Sequence, residues 1–180
     1  MQETNVMHTF WQRFSCAAVA LSCMVWFAAT LARAIITYDL YQPATAMLRA
    51  LPHDYQLEQL RLAENLATIA WISYALVLCA TVSMLLLWRT RLHQHGYIAI
   101  AGLLILVSLL WQGWIAPTEL SLYREFPSRW QPPPVSRYQP IMDLVGKRFF
   151  RQSPADLLNL LTAAAAIVVL IIQPRRRTDA

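Results

Sequence analysis

Charge is what this chain of 180 residues most lacks. Only 14% of it is Asp, Glu, Lys or Arg, against about 25% in an ordinary soluble domain, while 57% is hydrophobic and the mean hydropathy is +0.39. So apolar a chain excludes both a soluble globular domain and intrinsic disorder. Three cysteines are too few for a disulfide scaffold, and no C-x-x-C occurs. Glycine is sparse at four, with no Gly-rich phosphate loop; G-x-S-x-G and H-E-x-x-H are also missing. Lysine is nearly absent: of fifteen cations only Lys147 is lysine. The arginines sit in short flanks beside apolar runs and form no basic stripe interleaved with aromatics, so the net charge of +5 does not point to nucleic acid.

What is present is long apolar runs. Residues 14–32, 65–88, 92–118 and 157–174 carry no charged side chain. A hydrocarbon core of about 30 Å takes roughly 20 helical residues, which these runs supply, the last being the shortest. The expectation is an all-α integral membrane bundle of four transmembrane helices forming one domain over 1–180. Its spans fall near 14–36, 60–88, 94–118 and 156–174, with outer loops at 37–59 and 119–155. Ala32-Arg33-Ala34 has the small-x-small form of a signal-peptidase site, but the preceding run of 19 residues exceeds a signal h-region of about 7–15. The first span is therefore expected to be retained.

Six cations lie on the side of the termini and the 89–91 hairpin, and nine lie in the two longer loops. Orientation follows density near helix ends, with acids contributing little. Arg13, Arg89, Arg91 and the triplet Arg175, Arg176 and Arg177 form tight flanks among almost no acids, so both termini are expected in the cytoplasm. The arginine bias suggests a bacterial inner membrane.

The outer loops differ in material. Between Pro43 and Pro52, Ala44, Met47, Leu48 and Leu51 recur at i, i+3, i+4 and i+7, which predicts a short amphipathic helix. The second helix is expected to start near Gln56. In the second loop, Pro127, Pro132, Pro133, Pro134 and Pro140 place five of ten prolines within fourteen residues, read here as extended polyproline-II chain. Beyond it Ile141, Met142, Leu144, Val145, Phe149 and Phe150 mix with Lys147, Arg148 and Arg151. That composition suits a segment lying against anionic headgroups or docking onto a partner protein.

A charge near a span is a functional candidate when it faces protein or water. Each helix carries one at its outer end: Arg33, Glu64, Glu119 and Asp156, with Asn159 one turn inside Asp156 on the same face. Two readings stay open. In one, these are helix-end charges that snorkel to headgroups, Glu64 being held by Arg61. In the other, Arg33 and Glu64 pair between helices, and Asp156 with Asn159 lines a polar seam. Gln112, between Trp111 and Trp114, is expected to hydrogen-bond another helix. Ala163–Ala166 offers a smooth face for close packing. His8, His53, His93 and His95 all lie in flanks or loops, where facing haem ligands cannot be built. His93-x-His95 lacks an acid or cysteine beside it, so neither metal nor cofactor is expected.

With no catalytic constellation, the reading that fits best is a non-catalytic accessory or assembly subunit whose partners are the bilayer and other membrane subunits. A small-solute or ion transporter using the outer charges is the alternative, although four spans are few and no inverted repeat is visible. A membrane enzyme acting on a lipid, with Glu64, Glu119 or Asp156 as acid or base, is the third. The orientation is directly testable. A reporter active only outside the cytoplasm should be silent fused after Ala180 and active when inserted within 128–138, and the reverse pattern would overturn the orientation inferred from Arg89, Arg91 and the terminal triplet.

Overall fold

The computed structural model describes residues 2–41, 50–93, 95–126 and 133–172. Four long helices make up most of it: α1 (Gln2–Asp39), α2 (His53–Trp88), α3 (Gly96–Glu125) and α5 (Ser153–Ile172). A short helix, α4 (Tyr138–Gly146), precedes α5, and no strand element occurs among the described residues. All four long helices are long and apolar enough to cross a membrane. The chain thus has the architecture of a multi-pass membrane protein. Its outward faces agree, since Leu21, Ile72, Leu103, Leu110, Leu161 and Ile171 are exposed. A helix apolar all round belongs in lipid or deep in a core.

Inward faces recur at spacings of three and four. On α1 the buried stripe runs Gln12, Ser15, Val19, Cys23, Trp26, Ala29, Arg33 and Thr37, and Leu40 just past the helix end continues it. On α5 it runs Ala155, Asn159, Ala163, Ala166 and Leu170, the alanines of the predicted smooth face. Such stripes let helices pack nearly parallel. α1 lies along α2 and α3 along α5, while the contacts of α2 with α3 and of α1 with α5 are lighter. Gly102 serves one close approach: a Cβ there would come within 2.8 Å of Leu85 Cδ2.

The core is layered. One apolar cluster fills the middle of the bundle and the end near the chain termini, with Val19, Cys23, Trp26, Val77, Met84, Ile98 and Ala166 buried together. Trp26 and Tyr74 pack with ring centroids 4.8 Å apart, and the Tyr74 and Ser108 hydroxyls hydrogen-bond at 3.1 Å. At the terminal end Gln12 ties α1 to α2, its Nε2 donating to the Leu87 carbonyl at 3.1 Å while its backbone carbonyl accepts from Trp88 Nε1 at 3.2 Å. A second apolar cluster occupies the opposite end, here called the loop end. It joins Leu40, Leu57, Leu60, Leu122 and Phe126 to Ile141, Met142, Val145 and Phe149.

That second cluster shows where the 141–151 segment goes: it folds back onto its own bundle. Ile141, Met142, Val145 and Phe149 lie at i, i+1, i+4 and i+8, one helical stripe, and all are buried. The Tyr138 ring stacks on His53 with centroids 4.1 Å apart, its hydroxyl hydrogen-bonds Gln56, and Arg137 pairs with Glu125 at 2.9 Å.

Of the Pro-rich stretch expected to be extended, 127–132 lies outside the described residues, and the part that is described leaves the extended form early. Pro134 has φ −62° and ψ 147°, but a 3₁₀ turn follows at Val135–Arg137 and Pro140 lies in the first turn of α4. There a helix has no use for the missing N–H, so proline is tolerated. α2 begins at His53, one turn ahead of the expected Gln56. The amphipathic helix read between Pro43 and Pro52 falls mainly on 42–49, outside the described residues.

The docking of α4 makes a sharp contrast testable. Ile141 is 0% exposed and Val135 is 50% exposed. Ile141→Ala should destabilise the folded protein by about 2–4 kcal/mol, and Val135→Ala by less than about 0.5 kcal/mol, in detergent unfolding titrations. Equal small effects would show that α4 is not packed on the bundle.

Candidate functional site

Between the two apolar clusters lies a layer of charge. Arg33, on the buried stripe of α1, donates from Nη2 to Glu64 Oε1 on α2 at 2.7 Å and from Nη1 to Glu119 Oε1 on α3 at 2.6 Å. Arg148 donates from Nε to the same Glu119 oxygen, and its two Nη groups grip Asp156 on α5 at 2.6 and 2.7 Å. One continuous chain of ion pairs therefore runs Glu64–Arg33–Glu119–Arg148–Asp156 and touches all four long helices. Arg33, Glu64, Glu119 and Arg148 are each at most 7% exposed. Phe149 lies against both guanidiniums, with its ring centroid 5.3 Å from Arg33 Cζ and 5.4 Å from Arg148 Cζ. Two cations thus share one aromatic partner as well as one carboxylate.

Arg148 reaches this layer because the chain after α4 forms a π-helical turn, Lys147–Arg151. Its wider winding turns both Arg148 and Phe149 inward, where they are buried. Burial works against the Arg148 charge, but hydrogen bonds to Asp156 and the nearby Glu119 hold the guanidinium above its ordinary pKa. It stays ionised at any physiological pH.

The residues singled out in the sequence divide between this network and its surroundings. Arg33, Glu64, Glu119 and Asp156 meet in it; Asn159 lies below it and is bonded elsewhere, its Nδ2 donating to Gln112 Oε1 at 2.9 Å. That bond is the interhelical contact expected of Gln112. Arg61, read as the partner of Glu64 in the snorkelling picture, bonds Glu58, while Glu64 bonds Arg33. The expected single cation is instead a pair, because Arg148 joins it. Arg148 follows Val145 by three residues and Ile141 by seven, which places it on their helical face, but a cation so placed fits a snorkelling side chain as well as a buried ion pair.

Two spaces adjoin the network. A small polar cavity of about 50 Å³ lies inside the bundle beside Arg33, Glu119, Arg148, Asp156, Gln112 and Asn159. Arg33 Nε and Asn159 Oδ1 are buried without a hydrogen-bond partner among the described residues. The cavity is polar and large enough for an ordered water. A larger groove of about 440 Å³ opens sideways between α2 and α3, lined by Ala67, Thr68, Ile72, Ala116 and Leu120 with Glu64 and Glu119 at its base. Pro117 lies beside this groove in mid-helix and leaves the Gly113 carbonyl without its helical donor. On the next carbonyl, that of Trp114, Gln152 Nε2 donates at 3.1 Å and ties the α4–α5 turn to this weakened stretch.

No cluster of three or more His, Cys, Asp or Glu suited to a metal occurs among the described residues. Cys16, Cys23 and Cys79 are free. The chain matches no protein-family model, no curated protein and no solved structure.

Shared acceptance makes Glu119 the centre of the network. Removing one partner of a buried pair costs about 3–5 kcal/mol. Glu119→Gln should reach that range in unfolding titrations, since it removes the one carboxylate charge that faces both guanidiniums. Glu64→Gln and Asp156→Asn should each cost less, because each leaves one arginine that still holds Glu119. A Glu64→Gln variant as damaging as Glu119→Gln would contradict the shared-carboxylate arrangement.

Proposed function

We propose that this protein is a non-catalytic, multi-pass subunit of a membrane complex, and that a transmembrane helix of another protein seats in the groove between α2 and α3. The groove itself carries the reading. It is a place where two long helices of the bundle are only lightly in contact, and its walls combine Ala67, Thr68 and Ala116 with the larger Trp71, Ile72, Leu120 and Tyr123. The three small side chains let a second helix approach closely in lipid, and the larger ones give it apolar surface to pack against. The charge at its base narrows the partner further. Two guanidiniums face three carboxyl groups in the network, one acid more than there are cations to pair it. Arg33 engages a single oxygen, Oε1, of Glu64 and of Glu119, and both residues border the groove. The partner helix is therefore one that brings a lysine, an arginine or another hydrogen-bond donor to this depth. In this reading the complex lies in a bacterial inner membrane with both termini of the chain in the cytoplasm.

The other two readings draw less support. The cavity inside the network is about 50 Å³ and lies between two apolar clusters, which gives an ion no continuous polar route. Glu64, Glu119 and Asp156 each bond a guanidinium, so an acid or base role in lipid chemistry would first have to break an ion pair.

The test is site-specific photocrosslinking in the native membrane. A photoreactive residue in place of Leu120, which is 53% exposed on the groove, should capture one discrete protein, and the same residue at Val168 on α5, 50% exposed and away from the groove, should not. Ala116→Trp should abolish that capture by filling the groove. Crosslinking to lipid alone at both positions, together with a lone monodisperse protein after mild extraction, would overturn the subunit reading.

A further inference from the structure

The opposite end of the bundle carries a second site that the partner groove does not use. Between α1, the α2–α3 hairpin and α5 lies an open cavity of about 610 Å³. α1 and α5 are only lightly in contact, so this cleft is open between them. Its polar rim carries two cations, Arg13 from α1 and Arg91 from the hairpin, beside the His95 imidazole at the start of α3. No carboxylate lines it among the described residues, and neither arginine is in an ion pair there. His95 is set edge-on between two rings, 5.0 Å from Trp88 and 5.8 Å from Tyr97. Below the rim the walls turn apolar, with Ala17 and Ala20 on α1 facing Leu170 and Ile171 on α5.

The two halves of this cavity call for one kind of molecule. Paired arginines without acids recognise a phosphate, and the cleft below them accepts a hydrocarbon chain. Basic pockets between membrane helices, at the level of the headgroups, hold anionic lipids in this way. We propose that this cavity is a binding site for an anionic phospholipid, with the phosphodiester at Arg13 and Arg91 and an acyl chain lying between α1 and α5 beside Ile171. The cation rim then has a structural reason beyond orientation. A lipid wedged there ties α1 to α5, two helices that are only lightly in contact with each other.

The test uses the full chain in mild detergent and native mass spectrometry, with phosphatidylglycerol or phosphatidylcholine added at equal concentration. Phosphatidylglycerol should bind about tenfold more tightly, because both lipids carry the phosphodiester but in phosphatidylcholine the choline ammonium offsets its charge and is repelled by the two arginines. Arg13→Gln with Arg91→Gln should reduce that preference to about threefold or less, whereas Arg89→Gln, an exposed cation outside the cavity, should leave it intact. Ile171→Trp should weaken both lipids without altering charge. All these positions except Ile171 lie in polar surroundings at the rim or hairpin, and unchanged unfolding midpoints without lipid would confirm that the variants fold. The proposal fails if the Arg13/Arg91 variant keeps its preference, or if Arg89→Gln loses as much, since diffuse surface charge would then account for binding. It also fails if inorganic phosphate at the same concentration displaces the lipid fully, because the acyl cleft would then contribute nothing.

Discussion

A guanidinium cannot be left unpaired inside an apolar bundle, and most of the loop end of this protein is arranged around that requirement. Arg33 sits on the inward stripe of α1, with Ala29 one turn before it and Thr37 one turn after. It must meet water or carboxylate, and the carboxylates come from α2 and α3. One glutamate on each of two other helices fixes their depth relative to α1. Apolar side chains can slide past one another at little cost, but a charged pair with bonds near 2.7 Å has a single register. The network therefore sets the helix register, and the apolar clusters on either side exclude the water that would weaken it.

The second arginine extends the same logic to the loop. Arg148 arrives from outside the long helices and closes the circuit between α3 and α5 through Glu119 and Asp156. To bring it there the chain packs α4 on the loop end and then widens into a π-helical turn. The apolar side chains of α4 join the loop-end cluster, and Phe149 after it lies against both guanidiniums. The charged layer and the docked segment thus depend on each other. With one carboxylate more than it has cations, the layer remains a place where a further donor can be accommodated, and it borders a groove that opens between lightly packed long helices.

Much of this was legible in the residues, for identifiable reasons. The four apolar runs declare themselves by length, because nothing but lipid or a deep core takes helices apolar on every face. Arg33 was marked by continuing apolar sequence on both sides, and by its place at i+4 from Ala29 and i+7 from Trp26. What composition could not supply was rotation. Whether Glu64 turns toward Arg61 on its own helix or toward Arg33 on the next is decided by which stripe of α2 faces α1, and that depends on packing of the whole bundle. Arg148 was hidden for another reason: its segment looks alike whether it lies on headgroups or on protein. Pro140 was misleading because a proline inside the first turn of a helix reads, in isolation, like a proline in extended chain.

If Arg33 and its carboxylates form a buried, coupled unit that fixes the bundle, a double-mutant cycle on Arg33→Ala and Glu64→Gln measures that coupling most directly. The two changes should be strongly non-additive in unfolding titrations, with an interaction energy toward the upper end of the roughly 0.5–3 kcal/mol found for side chains in one network. Effects that simply add, to within about 0.5 kcal/mol and each no larger than the roughly 0–1 kcal/mol of an exposed pair, would return both side chains to the role of independent interface anchors and contradict the coupled unit.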